Sequence, residues 1–119
     1  MKKILPLLLF VLLAFAACQR GPATYEITQN PHEIAVNAEK FVNQVDKSSR
    51  HYSAEEWDAA FEQFVQMSKN YFELGNLMTS EERMKFDNAR VKFMAAIDAN
   101  GTEELALRVK KMYSDLMGE

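Results

Sequence analysis

Two histidines, one cysteine, a short carboxylate run and a scatter of methionines are the residues here that could carry chemistry. A zinc site takes three or four ligands at characteristic spacing. His32-Glu33 begins like a zinc-protease helix motif, but the second histidine it requires would fall at Val36, and His51 is the only other imidazole. No metal site is expected. Glu55, Glu56, Asp58 and Glu62 crowd one stretch, yet carboxylate-bridged di-iron bundles need inward-facing Glu-x-x-His pairs. No Glu or Asp of this chain has a histidine three residues later. The run suits the first turns of a helix, where the dipole favours negative charge. A methionine or histidine could ligate haem in a bundle, but there is no Cys-x-x-Cys-His attachment motif, and no histidine follows position 51. Gly-rich phosphate loops, nucleophile elbows and Ser/His/Asp groupings are absent too. The sequence therefore predicts no catalytic residue, no metal and no cofactor, and the chain reads as a non-enzyme. One reactive group remains, the thiol of Cys18.

Cys18 closes the stretch MKKILPLLLFVLLAFAAC. Lys2 and Lys3 make a positive start, residues 4–17 are uncharged, and Ala16-Ala17 precede the cysteine. A helix needs about 20 apolar residues to span the hydrocarbon core, so this run is too short. It is also apolar all round, whereas a surface helix of a small domain needs a polar face. A short apolar region behind lysines and ahead of small residues is the pattern of a secretory signal peptide. Residues 1–17 are expected to be removed.

Phe15-Ala16-Ala17-Cys18 resembles the bacterial lipobox, with Phe15 in place of the usual leucine. The resemblance implies that the Cys18 thiol receives a diacylglyceryl group, that cleavage falls before it, and that the new amino group is acylated. Each buried methylene contributes roughly 0.8 kcal/mol, and two or more chains hold stably where one does not. Cys18 would then anchor the protein on a membrane without a spanning helix. Its thiol would be blocked as a thioether, which fits a compartment where free cysteines tend to pair.

Removing residues 1–17 takes two of the 14 basic residues and none of the 17 acidic ones, leaving a net charge of −5. That balance argues against nucleic acid, whose binding wants a basic face, and against a polybasic membrane patch. Residues 18–30, rich in Gly, Pro, Thr and Asn, read as a lipidated flexible tether. Residues 31–119 are enough for one domain.

Four helices are predicted in that domain. Asn30-Pro31-His32-Glu33 offers a cap, a first-position proline and a capping-box glutamate. Ile34, Ala38, Phe41, Val42 and Val45 then form one stripe. Ser53/Glu56 and Thr79/Glu82 are further capping boxes. The first precedes Trp57, Ala60, Phe61, Phe64, Val65, Ser68, Tyr71 and Phe72. The second precedes Phe86, Ala89, Phe93 and Ile97. After Thr102, Leu105, Val109, Met112, Tyr113 and Leu116 share a side, with Leu107 opposite. Short loops force antiparallel neighbours, so the expected fold is all-α, a small up-down bundle of three to four helices. The first helix could dock loosely beside the other three. In the third helix Met84, Val91 and Met94 lie off the main stripe. They are the candidate binding residues, on a helix that is either central or partner-facing, with Val91 and Met94 expected at least partly buried and Met84 at the rim.

Tyr52-Ser53-Ala54-Glu55-Glu56-Trp57-Asp58, with Phe61, Tyr71 and Thr79-Ser80-Glu81-Glu82, resembles small helical lipoproteins of Bacteroides-type bacteria. Those carry a "Y-[ST]-x-E-[DE]-W" opening on one helix and "T-x-E-E" on the next. The resemblance implies an envelope lipoprotein whose role it does not specify. Surface-exported members tend to carry acidic residues after the cysteine, whereas Gln19-Arg20-Gly21 follows here. That implies an outer-membrane anchor facing the periplasm. The leading expectation is a lipid-anchored interaction or accessory module with a protein partner. The alternative is a periplasmic helical chaperone, because Leu77-Met78-Thr79-Ser80-Glu81-Glu82 resembles the Leu-Thr-x-x-Gln boxes of small envelope-stress chaperones.

Overall fold

A computed structural model describes residues 23–118. Among them the chain forms four helices and no strand: α1 Ile34–Ser48, α2 Ala54–Leu74, α3 Ser80–Asn100 and α4 Glu103–Met117. Single 3-10 turns lead into α1 (Pro31–Glu33) and occupy two of the connections (Ser49–His51 and Gly75–Leu77). The small all-α bundle expected from the stripes is what forms. The order of cross-helix partners gives the directions. Trp57 and Tyr71 of α2 meet Phe93 and Phe86 of α3, so these two run antiparallel. His32, Asn43 and Ser49 meet Glu82, Lys92 and Asn100, so α1 and α3 run parallel.

Caps define the helix starts. Ser53 Oγ accepts the Glu56 amide at 3.2 Å while the Glu56 carboxylate accepts the Ser53 amide at 2.9 Å. Thr79 and Glu82 close the same reciprocal box at 3.1 and 2.8 Å, and Thr102 Oγ1 accepts the Leu105 amide. Such caps contribute about 1 kcal/mol each. The first helix departs from expectation. Asn30 Oδ1 accepts the His32 amide, but Glu33 does not close a box with Asn30. It accepts the Thr28 hydroxyl at 2.9 Å, and that hydroxyl oxygen accepts the Asn30 amide at 3.0 Å. The chain before Pro31 is folded back far enough to insert Thr28 between the two.

Every residue of the first stripe is buried, together with Ala35. Helix α1 is not a loose neighbour; α1 and α3 approach each other most closely of all the helix pairs. Ala35 and Ala38 on one and Ala89 and Ala96 on the other are nearly inaccessible, and small side chains at a contact shorten the interaxial distance. Aromatic rings fill the wider gap to α2. Phe64 stacks on Phe93 with centroids 4.2 Å apart, Tyr71 on Phe86 at 4.1 Å, and Phe41 packs on Phe93 at 5.8 Å. Gly75 lies in the right-handed region at φ −63. Its importance is space, since a Cβ there would sit 3.2 Å from the Tyr71 ring. Helix α4 is the peripheral one, with only Leu105 and Val109 fully inside. Phe72, expected on the core face of α2, is 39% exposed and meets Tyr71 and Tyr113 edge-on.

The tether expected over residues 18–30 needs correction in its second part. Residues 23–30 form no helix or strand and bend at Gln29, but Ala23 and Tyr25 are each only 4% exposed and so are docked on the bundle.

Candidate functional site

Cys18, the expected lipidation site, lies outside the described residues, as do the expected leader and residues 18–22. What the structure supplies is the docking of the chain that follows. The Tyr25 amide donates to Gln63 Oε1 at 2.8 Å, and the Tyr25 hydroxyl donates to Asn70 Oδ1 at 2.7 Å. The same Oδ1 accepts the Thr28 amide at 3.1 Å, while Asn70 Nδ2 donates to the Thr28 carbonyl at 3.0 Å. Asn37 Nδ2 donates to the Glu26 carbonyl. Asn70, itself buried, thus acts as a substitute strand for a segment that has no sheet partner. Burial pushes the Tyr25 phenol well above its ordinary value. An unpaired buried polar group costs about 1–3 kcal/mol, so the segment and Asn70 stabilise each other. Gln63 and Asn70 stand seven residues apart, two turns along the same side of α2, and sequence reasoning singled out neither.

The three candidate binding residues are not brought together. Met84 and Val91 are 64% and 57% exposed, whereas Met94 is half-buried against the core. Met84 at the exposed rim and Met94 partly inside match expectation; Val91 does not, because it follows Met84 by seven residues and so shares its outward face. About 10 Å of helix separates the two, with exposed Asp87 and Asn88 between them. They are two outward side chains, not a continuous strip.

A different grouping does exist. The end of the bundle holding the Gly75–Thr79 connection also receives the start of α1 and the end of α4. Ile27, Val36, Phe72, Leu77, Met84 and Met117 are all exposed there. Beside them His32 Nδ1 sits 3.1 Å from the Glu82 carboxylate. The Thr79 amide first, and then His32, hold that carboxyl below its ordinary value of 4.5. The opposite end, with the Ser49–Ser53 connection and the Asn100–Thr102 turn, exposes among the described residues one large apolar side chain, Leu107.

That second end also carries a cleft of about 290 Å³ lined by Trp57, Asp58, Thr102, Leu105 and Arg108 among others. The Arg108 guanidinium donates to Asp58 at 2.9 Å and lies 4.5 Å over the Phe61 ring. Its charge is therefore already answered, and no nucleophile stands beside a base. Trp57 is 6% exposed, packed edge-on against Tyr52 and Phe93. Its indole belongs to the core wall. Among the described residues no three His, Cys, Asp or Glu converge as a metal site would require. No helix among them is long and apolar enough to cross a membrane. Set against protein-family models, curated proteins and solved structures, the chain finds no match.

Proposed function

We propose that this chain is a lipid-anchored, non-catalytic protein of the bacterial cell envelope that serves as an interaction or accessory module. The anchor is Cys18, and the membrane is the outer membrane on its periplasmic side. The observation that carries the interaction role is the gathering of exposed apolar side chains at one end of an otherwise well-packed bundle, since such exposure marks contact surfaces. A protein partner is its expected occupant. The test is proximity crosslinking in cells from a photoreactive group placed at Asn76. Leu77→Asp with Met84→Lys should abolish the crosslinked product while the melting midpoint stays near wild type. Leu107→Lys, at the other end, should leave the product intact. Equal crosslinking by all three proteins contradicts the reading.

The chaperone alternative draws on the same exposed Leu77, Met84 and Met117, since methionine-rich surfaces adapt to varied partners. It predicts protection of an unfolded client from aggregation, lost in the same double variant. A single defined crosslinked partner with no client protection favours the module.

A further inference from the structure

We propose that the end of the bundle built from the Ser49–Ser53 connection and the Asn100–Thr102 turn faces a lipid surface at close range, with the apolar end held away from it. The proposal rests on the lipid anchor at Cys18 and adds the orientation that the docked segment imposes.

The direction of that segment is fixed by its partners. Tyr25 bonds Gln63 and Thr28 bonds Asn70, so the segment runs along α2 in the same sense as the helix. Ala23 therefore lies towards the start of α2. Its backbone is near enough to the Tyr52 hydroxyl to favour that group's ionisation, against the larger opposing effect of burial, though not placed for a well-formed hydrogen bond. The chain leaves the domain at this end, and only five peptide steps then separate Ala23 from Cys18. At about 3.3–3.6 Å per residue they reach at most roughly 18 Å. A chain free as far as Asn30 would reach roughly 40 Å, enough to let either end of the bundle meet the bilayer. Helices α2 and α3, of 21 residues each, extend about 31 Å. The far end thus stands beyond the reach of the short tether unless the bundle lies flat.

Lying flat is disfavoured by the placement of the exposed apolar groups. Val36, Phe72, Met84 and Met117 belong to four different helices at the far end, so a bundle lying on its side turns only part of the set to the bilayer. The end near Ala23 is instead polar, with Arg50, Glu55, Glu103 and Glu104 exposed. That composition keeps this end out of the hydrocarbon and, being mostly acidic, supplies no attraction to anionic headgroups, so the short tether alone holds it at the surface.

The test uses the full lipidated chain in vesicles of phosphatidylethanolamine and phosphatidylglycerol that contain a headgroup-quencher lipid. With Cys18 acylated, an introduced cysteine is the sole free thiol. A fluorophore on Arg50→Cys or Glu103→Cys should lose most of its emission to the quencher, and one on Asn76→Cys or Lys85→Cys should keep most of it. A flexible Gly/Ser insertion after Pro22, which leaves the fold untouched, should abolish that difference. Acylated protein with equal quenching at both ends, or stronger quenching at Asn76→Cys, overturns the orientation and leaves the anchor standing. Protein that carries no acyl group overturns the anchor reading, and the orientation with it.

Discussion

Asn70 is the residue on which the amino-terminal part of the structure depends most. Its amide satisfies both backbone groups of Thr28 and the Tyr25 hydroxyl. Tyr25→Phe removes one buried hydrogen bond and should lower the unfolding free energy by about 0.5–1.5 kcal/mol, seen as a lower denaturant midpoint. It should also reduce alkaline sensitivity. The folded state keeps the Tyr25 proton above the ordinary phenol value of 10, so above that pH it binds more protons than the unfolded chain. Stability must then fall as pH rises through this range, and Tyr25→Phe should flatten the fall in paired melts below and above pH 10. An unchanged alkaline slope would place the phenol in water. Trp57→Ala, removing a buried aromatic from the Tyr52 and Phe93 contacts, should cost about 3–5 kcal/mol and lower the melting midpoint sharply. Trp57 was legible because it stands one turn inside a capping box on an apolar stripe. Asn70 was not, because its partners are more than forty residues upstream and no periodicity links a helix face to a segment that forms no helix or strand.

Helix α3 shows where pattern reading succeeds and where it stops. Its main stripe, Phe86, Ala89, Phe93 and Ile97, is wholly buried, as spacing demands. In its second set Val91 misleads, because apolar type does not entail burial; much of any protein surface is apolar. Met84→Lys and Val91→Lys should each shift stability by no more than about 0.5 kcal/mol. Met94→Lys should cost about 1–3 kcal/mol, since it displaces a side chain packed on the core; equal melts for all three would contradict this packing. The start of α3 adds an acid-side test. The Glu82 carboxyl is held below its ordinary value by Thr79 and His32, so its contribution is present above pH 4.5 and lost as pH falls through the lowered value. Protection of the first-turn amides of α3, taken relative to their intrinsic exchange rates at each pH, should fall over that acid range, and Glu82→Gln should abolish that fall. The same forces explain the tether boundary. Composition marked residues 18–30 as flexible, but Tyr25 and Ala23 find cover on α2 that no local signal announces.

At the scale of the whole bundle, the described residues have one polar end, where the chain arrives, and concentrate their apolar exposure at the other. Four helices and their order were legible from caps and stripes. The pairing of α1 with α3 was not, because alanines at 35, 38, 89 and 96 read as weak apolar positions, and their consequence is close approach between helices distant in sequence. The function turns on whether this bundle is tethered by lipid. The decisive measurement is the intact mass, acyl labelling and membrane partition of the chain made in a bacterium with lipoprotein processing, beside Cys18→Ser. The expected wild-type product begins at Cys18, carries two or three acyl chains and sediments with membranes, while Cys18→Ser is unlabelled and leaves them. A mature wild-type chain with an unmodified thiol, or a Cys18→Ser protein equally bound to membranes, would contradict the lipid-anchored module.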